Sequence, residues 1–216
     1  MYQPSRVYEV VSRALLGVAL LGGRVEARTL ERIAAVVNED IVLDGEVNDA
    51  ALPQFRGDRE SGEGRKRWDE LRRKALEQLI DSKLVGQQAL ELKLSVTVEE
   101  VDRASEEVRR QNKLDESTFA EALKQQGLTP ETYRKSLKKQ ILELKVFNTA
   151  VRSRISVGDE EVRAYYQQNA RQMGEDARPF DEIKEQLRRT LYDQQVEKAT
   201  QSWLRELRRK AHIDIR

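Results

Sequence analysis

The chain has 216 residues, a formal charge of +1, 38% hydrophobic and 36% charged residues, and no cysteine. That length allows one good core or two small ones, and the charge density points to a helical protein with solvated outer faces, not a β-sandwich. Disulfides, thiol catalysis and cysteine metal sites are excluded, and the near-zero net charge supplies no field to collect nucleic-acid phosphates.

Residues 1–27 read as a secretory signal. Arg6 and Arg13 precede an apolar run from Ala14 to Leu21, and a small-x-small step ends at Ala27. The run is short for a membrane span, so the uncleaved alternative is an amphipathic helix or anchor. Cleavage after Ala27 removes three arginines and two glutamates and takes the formal charge from +1 to 0.

Two short β-prone runs, Arg32–Val37 and Ile41–Leu43, flank the polar turn Asn38-Glu39-Asp40 and predict a hairpin. A lone hairpin is marginal in water and needs a further strand or a helix against it. Asp44 is placed to cap a short helix through Leu52, limited by Pro53. Arg56 to Lys66 is charged, holds three glycines and has no apolar residue, which predicts a mobile surface loop; its RGD triplet is of a length that arises by chance.

Trp68 to Leu94 is the longest apolar-periodic stretch. Trp68, Leu71, Ala75, Leu76, Leu79, Ile80, Leu84, Ala89 and Leu90 cover nearly half a helix circumference, too wide for a two-stranded seam. A helix of this length spans roughly 40 Å and must be covered by several others. Thr97 and Glu100 match a capping box before a helix to about Gln111, with Val98, Val101 and Val108 on one face. Asp115 caps a helix carrying Phe119 and Leu123, which Gly127 ends, and Thr129-Pro130 opens a long helix whose stripe runs from Tyr133 to Ile155. A short helix covers Glu160–Gln168, Asn169 to Pro179 lacks periodicity, and Phe180 to Lys210 is helical, with its stripe rotating between Leu191 and Val196. Ala211 to Arg216 alternates and can supply the hairpin's third strand.

Catalytic chemistry finds no support. His212 is the single histidine, with no oriented partner in view, and the acidic pairs Glu99-Glu100, Glu106-Glu107 and Glu160-Glu161 sit on solvated helix faces. No glycine loop cradles phosphate and no serine elbow is present. The expectation is no catalytic residue, no metal and no cofactor. Apolar grooves on a helical frame remain, and Phe119, Leu123, Leu128, Tyr133, Tyr165 and Tyr166 are the candidates to line them, with ordinary core packing as the competing reading for each.

The segments RIAAVVNEDIVLDGEV, ALEQLIDSKLVGQQALELKLSVTVEEVDRASEEV, LDESTFAEALKQQGLTPETYRKSLKKQI and SVGDEEVRAYYQQN together resemble the N-terminal chaperone domain of the SurA-type periplasmic chaperones. The terminal PFDEIKEQLRRTLYDQQVEKATQSWLRELRRKAHIDI is similar to the C-terminal helix and strand that fold back onto that domain. The resemblance implies a mainly α fold with a small β element made by the N-terminal hairpin and the C-terminal strand. It divides the chain into signal 1–27, chaperone domain 28–168, connection 169–179 and closing helix and strand 180–216. Relatives carry a parvulin prolyl isomerase domain between the last two segments; here only Ala170 to Arg178 separates them, so no catalytic residue is carried over.

The implied function is an ATP-independent periplasmic holdase for unfolded outer-membrane β-barrel or exported proteins. No nucleic-acid partner is expected, no membrane contact after signal cleavage, and a homodimer formed by swapping the C-terminal helix is conceivable. The alternatives are a residual prolyl isomerase and a structural adaptor for one specific partner.

Overall fold

A computed structural model describes residues 31–173 and 178–216. The signal expected at 1–27 lies outside the described residues. The chain forms two compact units, the first running to Glu143 and including Ala211–Arg216, the second comprising Leu144–Lys210.

The first unit opens with strands β1 (Ile33–Val37) and β2 (Asp40–Leu43). Their turn has two residues, not three, because Asn38 takes a positive φ of 56° and Asp40 already pairs with Val37. Strand β3 (Ile213–Ile215) lies antiparallel on the other side of β1, giving the order β2-β1-β3, so the alternating tail does supply the third strand. Ala35, Val37 and Val42 are fully buried, which accounts for the β-branched and small residues in these strands.

Helix α1 (Asp44–Ala51) follows directly. Asp44 is its first residue and not its cap: the Glu46 carboxylate accepts from the Leu43 N–H at 2.9 Å, and Asp44 instead pairs with Arg72. Pro53 sits in a single 3-10 turn, Leu52–Gln54.

Helix α2 (Gly62–Glu91) starts six residues before Trp68, inside the stretch expected to be a loop. Ser61 caps it by accepting from the Gly64 N–H at 3.0 Å. Gly64 is required there, since a Cβ would lie 1.7 Å from the Asp58 carbonyl oxygen. The remaining loop is anchored as well: the Arg59 guanidinium lies 3.8 Å from the Trp68 ring centroid, and Phe55 meets Trp68 edge to face at 5.5 Å. The RGD arginine donates to the Pro53 and Phe55 carbonyls, both at 2.9 Å. Along α2, Ala75, Ile80, Leu84 and Ala89 are buried, but Leu90, expected on the same face, is 78% exposed. The helix ends as Lys93 turns to φ 52° and the Leu94 N–H returns to the Ala89 carbonyl.

One set of hydrogen bonds joins the hairpin, α2 and the tail. The Asn38 amide donates to Gln87 at 2.7 Å, and the Gln87 amide donates to the Val37 carbonyl and the Asp40 carboxylate. The His212 N–H donates to the Asn38 side chain and the Asn38 N–H to the His212 carbonyl, each at 2.8 Å. His212 thus serves through its backbone.

Helices α3 (Val98–Gln111), α4 (Glu116–Gln125) and α5 (Pro130–Ala150) complete the first unit, with the last turns of α5 in the second. Each begins as its sequence predicts. Thr97 and Glu100 form the reciprocal capping box, Asp115 accepts from the Thr118 N–H at 2.7 Å, and Thr129 accepts from the Thr132 N–H at 3.1 Å. Gly127, with φ 70°, closes α4. Helix α5 stops before the expected Ile155, and a 3-10 turn at Arg152–Arg154 follows.

In the second unit, α6 (Asp159–Met173) runs past the Gln168 end expected from sequence, and α7 (Phe180–Lys210) is one uninterrupted helix despite its rotating stripe. Among their described side chains, Val162, Ile183 and Leu191 are buried. Asp159, in the first turn of α6, binds Lys184 and Arg188 of α7, each at 2.6 Å, and Glu161 accepts from Gln195. At the other end Tyr166 meets Phe180 edge to face at 5.3 Å and donates its hydroxyl to the Arg178 carbonyl at 2.9 Å.

Candidate functional site

The six sequence candidates fall into two groups. Phe119, Leu123 and Tyr133 line one cavity of about 300 Å³ between α3, α4 and α5 in the first unit. The α4 cap at Asp115 sets the rotation that aims Phe119 inward, and the Pro130 start of α5 does the same for Tyr133. Their rings meet edge to face, centroids 5.3 Å apart. Both rings are half-buried, so each keeps surface at the cavity mouth. Leu123 is 3% exposed and forms the floor. Leu128, in the turn between α4 and α5, is 36% exposed but does not line the cavity.

Tyr165 and Tyr166 belong to the second unit. Tyr166 is engaged by Phe180 and by the Arg178 carbonyl, as above, while the half-buried Tyr165 ring has no aromatic partner among the described residues.

The Tyr133 hydroxyl is buried and closes no hydrogen bond of normal geometry. Burial raises its pKa, with the Ser105 side chain offsetting part of that effect, so the phenol stays neutral. The rim carries Asp102, Glu106 and Glu116 against Arg109 and Arg134. Arg134 pairs with Asp102 at 2.5 Å and Arg109 lies 3.9 Å from Glu116.

A second groove, of about 210 Å³, was not picked out by sequence. It lies where the start of α3 faces α5 and is lined by Val96, Val98 and Val101, with Arg134, Lys135 and Lys138 along its α5 wall. Val96 and Val101 are buried with Leu137, whereas Val98, read as part of the same apolar face, is 64% exposed at the groove edge. The usable signal was Val98 itself, an apolar first residue of a helix with nothing opposite it in sequence.

No cluster of three or more potential metal ligands occurs among the described residues, and no described helix is long and apolar enough to cross a membrane. An aromatic pair, an apolar floor and a polar rim can hold an extended peptide by burial of its side chains.

Comparisons with known proteins point to one family. Residues 10–147 match the family model described as the SurA-like N-terminal domain. "Chaperone SurA" of Sodalis glossinidius is 30% identical over 165 residues, 76% of this chain and 38% of that protein. "Chaperone SurA" of Pectobacterium atrosepticum is 29% identical over 163 residues, 74% of this chain and again 38% of the relative, so the chain matches well under half the length of these proteins. A solved structure, from work describing PEB4 and the periplasmic protein Cj1289 of Campylobacter jejuni as two structurally related SurA-like chaperones, superposes with a TM-score of 0.64 at 15% identity. It covers 85% of this chain and 98% of that one, which establishes the shared fold. With the family model matching more than half of its residues, the chain belongs to the SurA-like N-terminal domain family.

Proposed function

We propose that this protein is a periplasmic, ATP-independent holdase that binds extended, aromatic-rich segments of unfolded exported proteins, outer-membrane β-barrel chains among them, in the Phe119–Tyr133 cavity. The observation that carries this reading is an aromatic pair left half-exposed at the mouth of a cavity, in a fold whose named relatives are chaperones. Residues 28–168 act as the chaperone domain, and 180–216 as the closing helix and strand. Release of clients follows their own folding or handover, and the protein catalyses no reaction. Supporting that view, the single histidine is engaged through its backbone beside β3, and the connection from Met173 to Phe180 is too short for a folded domain.

The test is light scattering of a diluted outer-membrane β-barrel protein with and without the purified chain. Suppression at a few-fold molar excess is expected, and Phe119→Ala should weaken it several-fold while leaving the circular dichroism spectrum unchanged. No suppression by the wild type overturns the reading. The same reading includes a homodimer formed by exchange of the C-terminal helix and its strand, supported by the shortness of β3, which docks through three residues; light scattering on a sizing column measures it.

A further inference from the structure

The two cavities share one residue. Arg134 lines both, and its ion pair with Asp102 spans the boundary between them. Their charge differs. The aromatic cavity has three carboxylates to two cations on its rim, whereas the valine groove has Glu131 against Arg134, Lys135 and Lys138. Glu131 is taken by Lys135 at 2.9 Å and Arg134 by Asp102, while Lys138 is exposed and has no ion pair among the described residues. The groove therefore presents an apolar surface, with Val98 at its edge, beside an uncompensated ammonium.

We propose that this groove is a second subsite on the same extended polypeptide, one that takes an aliphatic side chain and pairs Lys138 with an adjacent Asp or Glu carboxylate. The inference rests on the holdase reading and adds selectivity to it. Tyr133 and Lys138 are five residues apart on α5, which combines a rise of about 7.5 Å with a turn of about 140° around the helix, a separation of about 13 Å between side-chain ends. An extended chain covers that distance in about four residues at about 3.3 Å each. Clients are thus read as an aromatic residue with an aliphatic-acidic pair about four positions away. An acidic side chain is disfavoured in the aromatic cavity by Glu106 and Glu116 and favoured beside Lys138, which fixes which anchor enters which cavity.

The test uses three fluorescent peptides with one aromatic anchor, followed about four residues later by Leu-Glu, Leu-Lys or Ser-Ser, titrated with the full chain at low salt. Leu-Glu should bind roughly two- to five-fold tighter than Leu-Lys, the range of an exposed ion pair, with the gap closing in high salt. Lys138→Glu should reverse that order, and Val98→Ser should weaken both leucine peptides towards the Ser-Ser peptide. Both positions are exposed, so both variants keep the fold. Equal binding of Leu-Glu and Leu-Lys, or an order that Lys138→Glu leaves unchanged, overturns the subsite while the holdase reading stands. Failure of the Ser-Ser peptide to compete for a Phe119-dependent site overturns both.

Discussion

In the sheet and the helices α1 and α2 packed on it, Ala35, Val37, Val42, Ala51 and Ile80 are fully buried, and the strand turn, α2 and the tail are tied into one set of hydrogen bonds through Asn38 and Gln87. Among the described side chains of α6 and α7, Val162, Ile183 and Leu191 are buried, and besides the Tyr166–Phe180 ring contact the links are exposed charged and polar side chains, chiefly Asp159 with Lys184 and Arg188. Burial of apolar surface does not depend on ionisation, but exposed ion pairs are reached by salt and by protons. The sheet region is thus held by contacts between distant parts of the sequence that the medium barely alters. The helical hairpin is made locally, and its tightness follows the ionic conditions.

The comparison can be broken most strongly at Ile80. Ile80→Ala removes a fully buried side chain of α2, the helix packed on the sheet, and is expected to cost about 2–5 kcal/mol, measured as a lower urea midpoint. An unchanged midpoint would show that dry packing there is not the main anchor. Asn38→Ala comes next. It places alanine at a φ of 56° and leaves the His212 N–H and Gln87 without their partner, at a cost of about 1–2 kcal/mol. Hydrogen exchange at residues 213–216 should accelerate while that of α6 and α7 stays the same.

Asp159→Asn gives the smallest effect, confined to α6 and α7. Hydrogen bonds from Lys184, then Arg188, draw the Asp159 carboxyl from 3.8 down to about 2. A lowered folded pKa means that its stabilisation is complete above the unfolded value of 3.8 and is lost as the pH falls through about 2. Protection of α6 and α7 amides, corrected for intrinsic exchange, should fall across that window in the wild type and stay flat in Asp159→Asn. Added salt should narrow the difference between the two at neutral pH.

Helix starts were legible in the sequence because their signals are local: Thr97 with Glu100, Asp115 and Thr129-Pro130 each cap through a side chain three residues from its partner. The tail strand was legible from its alternation and from the hairpin's need for a partner. What stayed hidden depends on tertiary contact. Nothing in Arg56 to Lys66 announces that Arg59 will lie over Trp68, or that Gly64 must be small because Asp58 passes beside it. Asp44 carries a good cap residue's side chain, but Arg72 claims it and Glu46 takes the role. At the candidate site, residue types identified Phe119 and Tyr133 as large apolar groups, whereas their meeting across α4 and α5 is set by packing angles. The valine groove was invisible because it arises where Val98 is left exposed, with no helix over it among the described residues.

The bond from His212 to Asn38 joins positions 174 residues apart. Closing so long a loop costs on the order of 4–5 kcal/mol in chain entropy before any contact at the join is made. A chain synthesised from its N-terminus carries β1 with one strand edge bare until residues 213–215 arrive. Translation stalled or cut short before that point would release a product with a ready template for pairing with other chains, itself in need of a guardian.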